Sequence, residues 1–371
     1  MTDLKPILMN DFTKEPESLV EAQFEAIKSV LKSGYYILGP KVQSFEKQWA
    51  TYCGVRGAVG VANGMDAIEI GLRSLGIGPG DEVITTPLTA FATVLAIVRS
   101  GAQPVLADID PSTAQLDIES LSRCLSPKTK AVLLVHLYGQ ILDPALFQQF
   151  CSAHNLFFIE DCAQAHGAEH NGLRAGSFGA IGAYSFYPTK NLGCIGDGGC
   201  IVSNHAELLE HCSVLRNYGQ TERYHHPVLG LNSRLDEMQA AILSVRLNWL
   251  DQFTDRRRTI AARYFNEIEN PDVEMLRKPS HPKSHVFHLF VVKASNRSDL
   301  SIHLKNRGIQ THIHYPIPVH HQHSVKEIKR DPKGLNRAEL FANQCLSLPI
   351  HPQLTDDEVT RVIDAINSFQ R

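Results

Sequence analysis

The sequence predicts an α/β fold, a mainly parallel sheet covered by helices, followed by a smaller α+β domain. Three observations predict it. Between about residues 54 and 235, short apolar runs alternate with stretches whose apolar residues recur at helical spacing. Next, "LDEMQAAILSVRLNWLDQFTDRRRTIAARYFNEI", about 235–268, reads as one long amphipathic helix. Then "NPDVEMLRKPSHPKS" breaks the periodicity with three prolines, as a domain junction does. The expected division is 1–250 for the large domain, including an N-terminal helical segment, and 251–371 for the small one.

The elements follow in order. "GAVGVAN" (57–63) is a strand leading into "GMDAIEIGLRSLG", where Met65, Ile68, Leu72 and Leu75 share one helical face. "DEVITTP" (81–87) is the next strand, followed by the helix "AFATVLAIVRSG" and the strand "QPVLADID" (103–110). "KAVLLVHLYG" (130–139) is apolar enough to be buried on both faces, and the helix "ALFQQFCSAHN" returns the chain to "LFFIED" (156–161). "AIGAYSF" (180–186) and "GGCIVSN" (198–204) complete a seven-stranded set. Past the junction, "HVFHLFVVK" and "IQTHIHY" read as strands flanking the helix "RSDLSIHLKNRG". The last helix is "TDDEVTRVIDAINSF", where Thr355 and Glu358 fit a capping box.

Bulk properties narrow the functions. At 371 residues the chain exceeds what one core usually holds. A net charge of -3 supplies no electrostatic case for a nucleic-acid partner. No apolar stretch approaches the roughly 20 residues that span a bilayer. The opening "MTDLKPILMNDFTKEPE" lacks the basic, apolar, small-residue order of a signal peptide. The 8 cysteines are scattered with no C-x-x-C pair and read as reduced thiols. A cytoplasmic protein without a membrane partner is expected.

Ligands of such sheets bind at the carboxyl ends of the strands, so residues ending strands are the candidates. Asp161 ends the apolar "LFFIED". A carboxylate there is costly unless it meets a cation, although it can also cap the next turn. A protonated heterocyclic nitrogen would suit, each charge keeping the other ionised. Gly64 opens a helix directly after a strand, where unpaired N–H groups can hold a phosphate. Ser185, at another strand end, can add a hydroxyl to that phosphate or merely bond to local backbone.

Lys190 stands in "SFYPTKNLGCIGDGG", between an apolar strand and a glycine-rich run, with no other charge until Asp197. A surface cation is the ordinary reading of any lysine. Held in such surroundings, however, a lysine can have its pKa lowered, which suits imine formation and proton transfer. The P-loop spacing is missing before it, and no G-x-G-x-x-G fingerprint is present, which speaks against a nucleotide P-loop and a nicotinamide enzyme. Phosphate cradle, strand-end carboxylate and downstream lysine, in that order, imply pyridoxal phosphate as cofactor. The competing metal reading rests on "HIHYPIPVHHQH" (312–323), where His320 and His323 have a ligand-compatible spacing. No nearby carboxylate pair supports it, and with 18 histidines chance clusters are common, so no metal is expected.

Taken together, "SGYYILGPKVQSFE", "VANGMDAI", "GDEVITTP", "IEDCAQAHGA", "GAYSFYPTKNLGCIGDGG" and "GLNSRLDEMQAAIL" resemble the DegT-type sugar-nucleotide aminotransferases. The similarity runs from about residue 10 to "HYPIPVHHQ" and "SLPIHPQLTDDEV". These are pyridoxal-phosphate enzymes of fold type I. The resemblance implies that Lys190 is the imine-forming lysine and Asp161 the partner of the pyridine nitrogen. It implies that Gln164 lies near the cofactor's phenolic oxygen and that Gly64, Met65 and Ser185 hold its phosphate. Asn232 would reach the phosphate of a neighbouring subunit's cofactor, which makes the enzyme at least a homodimer. Tyr35, Tyr315 and His320 would line the sugar site. One departure concerns the stacking ring: three residues before Thr93 the family carries an aromatic, whereas this chain has Ala90, and Phe91 is expected to take the role.

The motif set is most similar to the branch that aminates dTDP-3-keto-6-deoxyhexoses, with L-glutamate as donor and 2-oxoglutarate as its product. The 4-keto branch is the alternative, and a cofactor-binding regulator without turnover is the alternative of another class. Relatives that dehydrate at C-3 carry histidine where Lys190 stands, so the lysine itself implies amino transfer.

Overall fold

The computed structural model describes residues 5–325 and 327–370. The strands used below, in chain order, are β1 (Gly57–Val61), β2 (Glu82–Thr85), β3 (Gln103–Leu106), β4 (Thr129–Val135), β5 (Phe157–Asp161), β6 (Ile181–Ser185) and β7 (Gly199–Ser203). β8 (Glu274–Met275), β9 (Phe290–Lys293), β10 (Lys329–Arg330) and β11 (Cys345–Leu348) follow. The large sheet has the order β1-β7-β6-β5-β4-β2-β3-β10. All its strands are parallel except β7, which runs against both β1 and β6. The seven expected strands are therefore joined by an eighth, the two-residue β10 on the edge beside β3. Two exposed basic residues carry no period-2 signal, which is why it is invisible in the sequence.

The helices used below are α1 (Glu17–Ser33), α2 (Pro40–Cys53), α3 (Gly64–Ser74), α4 (Phe91–Ser100), α5 (Ile118–Arg123), α6 (Pro144–Ala153) and α7 (Ala206–Leu215). They continue with α8 (Glu237–Leu247), α9 (Leu250–Glu267), α10 (Arg297–Asn306), α11 (Asn336–Gln344) and α12 (Asp356–Asn367). Successive residues of a strand face opposite sides of a sheet, and β7 shows the consequence. Ile201 joins Val59, Ile68, Leu133 and Ile159 on one face, while Cys200 and Val202 join Trp49, Tyr184 and Phe186 on the other. Each fully buried large apolar side chain there contributes about 1.5–3 kcal/mol.

The pattern at 235–268 resolves into two helices, with the break at Asn248–Trp249. The reason is that they serve different cores. Ala240 and Leu243 of α8, with Leu250, pack beneath the large sheet, whereas Ile260, Ala261 and Tyr264 of α9 pack into the C-terminal core. That second core is built around the antiparallel sheet β8-β9-β11 with α10 and α12, and it also takes in Ile7. "IQTHIHY" is not a strand. Ile309 bridges Ile7 while His312 bridges Ser347, so the segment crosses between two neighbours instead of pairing along one. The capping box at Thr355 is complete in both directions, at 3.2 and 2.9 Å. All eight cysteines are free and buried. No helix among the described residues is long and apolar enough to cross a membrane.

Candidate active site

β1, β5 and β6 end, and the reversed β7 begins, along one edge of the sheet. At that edge Asn63 caps α3, accepting the Asp66 N–H at 2.8 Å. Two glycines make the next contacts possible. A Cβ on Gly64 would lie 2.7 Å from the Cβ of Ser185, and one on Gly199 would lie 2.3 Å from the Asn63 carbonyl oxygen. Only without those side chains can Ser185 sit against the first turn of α3, whose N–H groups have no partners within the helix. Met65 follows on the same turn, half-buried against the apolar face of the sheet.

Asp161 closes β5 and is 5% exposed. Its Oδ2 accepts from the Thr93 hydroxyl at 2.8 Å and its Oδ1 from the Ala163 N–H at 3.1 Å. Thr93 is in turn 2.9 Å from the hydroxyl of Thr89. Burial raises the Asp161 carboxyl above the usual carboxylate range, while these two donors and the charge of Lys190 work in the opposite direction. The neighbouring Glu160 points to the other face of the sheet. It accepts from the N–H groups of Gly176, Phe178 and Gly179 at 2.8–2.9 Å and lies 2.9 Å from His136 Nε2.

Lys190 follows β6 on a turn closed by its own N–H to the Tyr187 carbonyl, 2.8 Å. Among the described residues its ammonium makes no hydrogen bond or ion pair. Burial brings its pKa down to about 8, and the Asp161 carboxylate partly offsets that shift. Three histidines surround it and are held neutral by burial, with the lysine's charge adding to the effect. His166 is pushed down to about 3, His314 to about 4 and His288 well below its ordinary value. Asn191 anchors the loop: its Nδ2 donates to the Val286 carbonyl at 3.0 Å, and its Oδ1 accepts from His288 Nδ1 at 3.2 Å.

Gln164 is 6% exposed and bridges two elements. Its Oε1 accepts from the Tyr138 N–H at 2.6 Å, and its Nε2 donates to the Tyr315 hydroxyl at 3.2 Å. Burial raises the Tyr315 phenol to about 12, with Asp161 contributing. The structure thus gathers Lys190, Asp161, Gln164 and Tyr315, and brings Gly64 against Ser185. His166, two residues after Gln164 in the chain, bonds the Ser185 carbonyl at 2.8 Å.

The other expected residues stand apart from this cluster. Phe91 opens α4 after Ala90, the N-cap, and packs against Val94, Leu106, Val319, Ile328 and Leu335. Tyr35, in the connection between α1 and α2, is 63% exposed. Asn232 is exposed and makes an isolated bridge to Asn217. His320 is buried, 2.9 Å from the Glu339 carboxylate, and His321 lies 3.5 Å from the same oxygen. The histidine segment therefore does meet a carboxylate, through His320 and His321, where the sequence paired His320 with His323.

Sequence reasoning missed Thr89, Asn191, His166, His288 and the Glu160–His136 pair, and used Thr93 only as a landmark. The signal for Thr93 was available: a threonine-rich turn after a strand, placing a hydroxyl in the first turn of the following helix. His288 had a weaker one, a histidine inside the apolar "HVFHLF".

These residues fit pyridoxal phosphate. An amine without a partner, a buried carboxylate held by two donors and short of a full cation, and a glycine-dependent cradle at a helix start match its aldehyde carbon, ring nitrogen and phosphate. The matching family model, "DegT/DnrJ/EryC1/StrS aminotransferase family", covers residues 17–367. The chain is 46% identical to the "dTDP-3-amino-3,6-dideoxy-alpha-D-galactopyranose transaminase" of Aneurinibacillus thermoaerophilus, over 93% of this chain and 94% of the relative. It is 42% identical to a "Pleiotropic regulatory protein" of Geobacillus stearothermophilus, over 98% of both. Among solved structures, S. venezuelae DesV in complex with a ketimine intermediate superposes with a TM-score of 0.95 at 43% identity, covering 98% of each chain. An aminotransferase of fold type I working with pyridoxal phosphate, as expected, is borne out. The chain belongs to the DegT/DnrJ/EryC1/StrS aminotransferase family.

Proposed function

We propose that this aminotransferase moves the amino group of L-glutamate to the C-3 keto carbon of a dTDP-linked 6-deoxyhexose. The observation that carries the chemistry is Lys190, an unpaired amine with its pKa brought down to about 8 and Asp161 close enough to be felt. The choice of C-3 draws support from the name of the Aneurinibacillus relative. Bound at this site, pyridoxal phosphate supplies a carbon that carries the nitrogen and a ring that accepts electrons from the reacting carbon.

The chain's own residues do the rest. Near neutral pH a share of Lys190 is neutral, so its Nζ can take a proton from the donor's α-carbon and later return one to the sugar. Asp161, ionised with help from Thr93 and the Ala163 N–H, pairs the ring nitrogen and favours its protonated form. The first turn of α3 and the Ser185 hydroxyl hold the phosphate. Gln164, fixed by Tyr138, lies beside the ring with Tyr315. Covering the ring face that Ala90 leaves bare would require Phe91 to turn out of its packing against Val94, Leu106 and Val319. Tyr35 and His320 border the sugar, and Asn232, exposed on a single chain, reaches the cofactor phosphate of a second subunit in a homodimer.

The regulatory name of the Geobacillus relative suggests a second reading, a cofactor-binding regulator without turnover. The Lys190 environment speaks for turnover. Incubation with glutamate and a panel of 3-keto and 4-keto dTDP-sugars, read by mass spectrometry and NMR, separates the readings. A 3-amino product supports the proposal, a 4-amino product moves the reaction to C-4, and no product favours the regulator.

A further inference from the structure

A narrow pocket runs beside the lysine loop, lined by Lys190 and Asn191, by Glu15, by Arg246 and Arg257, and by His351. Its two arginines are in different states. Arg246 is neutralised, holding the Glu15 carboxylate through Nη2 and Nη1 at 2.7 and 3.0 Å. Arg257 is 5% exposed and has no carboxylate partner among the described residues. Its Nη1 donates to the backbone carbonyls of Phe287, at 3.2 Å, His288, at 3.5 Å, and Ile350. Its Nε and Nη2 make no hydrogen bond to any described residue, and neither is a sealed, unpartnered atom.

A buried guanidinium without an anion is costly, and burial pushes Arg257 down to about 10. The surroundings do not relieve it. His351 is held neutral, at about 4, by burial and by Arg257 itself. Asp11, the other carboxylate on the lining, is taken up by the Thr13 hydroxyl at 2.6 Å and by Lys14 at 3.8 Å. The Nε–Nη2 edge is the one on which an arginine holds a carboxylate side-on, with two parallel N–H···O bonds. The space is narrow, with room for little more than a single water. A carboxylate head fits there and a sugar nucleotide does not.

We infer that the Nε–Nη2 edge of Arg257 binds one carboxylate of the amino donor, making this pocket the acid-recognition subsite for the dicarboxylic donor and its 2-oxo product. The inference rests on the reading of Lys190 as the amino-transfer lysine. It goes further in assigning donor selection to α9 and in leaving the sugar nucleotide to the other side of the site.

The test titrates the holoenzyme with glutarate, a dicarboxylate that has no amine to react, by calorimetry. Arg257→Lys keeps the charge and loses the fork, and Arg257→Gln loses both. Glutarate affinity should fall about 10- to 100-fold in each, as loss of a charge-assisted hydrogen bond predicts. The KM for glutamate should rise in parallel while that for the sugar nucleotide stays put. Unchanged glutarate affinity, or a rise confined to the sugar nucleotide, overturns the assignment. Because Arg257 also ties down three carbonyls, the variants risk misfolding, so a crystal structure of the unaltered holoenzyme with glutarate is the second arm. A carboxylate on Nε and Nη2 supports the subsite, and glutarate elsewhere overturns it. If the unaltered enzyme refuses glutamate yet seats glutarate on Arg257, the proposed function fails and the subsite stands.

Discussion

Replacing Thr93 with valine tests how Asp161 is kept ionised. Valine nearly matches threonine in volume, and Thr93 is 1% exposed, so the change removes one hydroxyl from a packed site. The hydroxyl donates to Asp161 Oδ2 at 2.8 Å, leaving the carboxylate with only the Ala163 N–H at 3.1 Å. A hydrogen bond to a charged group is worth about 1.5–3 kcal/mol. If that energy stabilises the carboxylate that pairs the cofactor's ring nitrogen, affinity for pyridoxal phosphate falls about 10- to 150-fold. The sign with pH follows from the same bond. Burial already raises the Asp161 carboxyl, and losing a donor raises it further. Protonated aspartate cannot pair the ring, so the deficit grows as pH falls and shrinks as pH rises. The assay is absorbance titration of apoprotein with pyridoxal phosphate across pH for wild type, Thr93→Val and Thr93→Ser. Serine should restore most of the affinity. Wild-type affinity and pH dependence in the valine variant would refute the role given to Thr93.

Three further outcomes are expected. In apoprotein, acetylation of Lys190 followed by mass spectrometry should rise through about pH 8, and Asp161→Asn should move that rise to lower pH, because the carboxylate is what offsets the burial shift; a rise at ordinary lysine pH contradicts the burial argument. Glu160→Gln gives four surrounding donors a single carbonyl oxygen and should cost about 3–5 kcal/mol, since it breaks a buried charged network. At about 2–4 °C per kcal/mol, thermal unfolding should drop by roughly 6–20 °C, and an unchanged midpoint would show the network to be dispensable. Hybrids of Lys190→Ala and Asn232→Ala chains should regain activity that neither variant has alone, since one intact site forms when Asn232 comes from the partner; no recovery on mixing argues against a shared site.

The sequence made legible those parts that rest on local rules. Strand periodicity placed Asp161 and Ser185 at strand ends, and a glycine directly after a strand marked the start of α3. What it did not reveal depends on contacts between distant segments. Glu160 and His136 look like ordinary strand residues until Gly176, Phe178 and Gly179 fold over them. Arg257 is one of three consecutive arginines on an amphipathic helix, and only the chain's return through Phe287 and Ile350 shows which one is buried. The break at Asn248–Trp249 has no glycine or proline to announce it, because it is imposed by two cores that claim opposite ends of one helical pattern.

The central claim is that Lys190 moves the protons of amino transfer. Single-turnover spectroscopy of wild type and Lys190→Ala, both loaded with pyridoxal phosphate and mixed with L-glutamate, tests it most directly. Wild type should lose the visible band of the lysine-linked cofactor and release one equivalent of 2-oxoglutarate, whereas the variant should bind cofactor without that band and release none. A Lys190→Ala protein that keeps both the band and the release of 2-oxoglutarate would contradict the account.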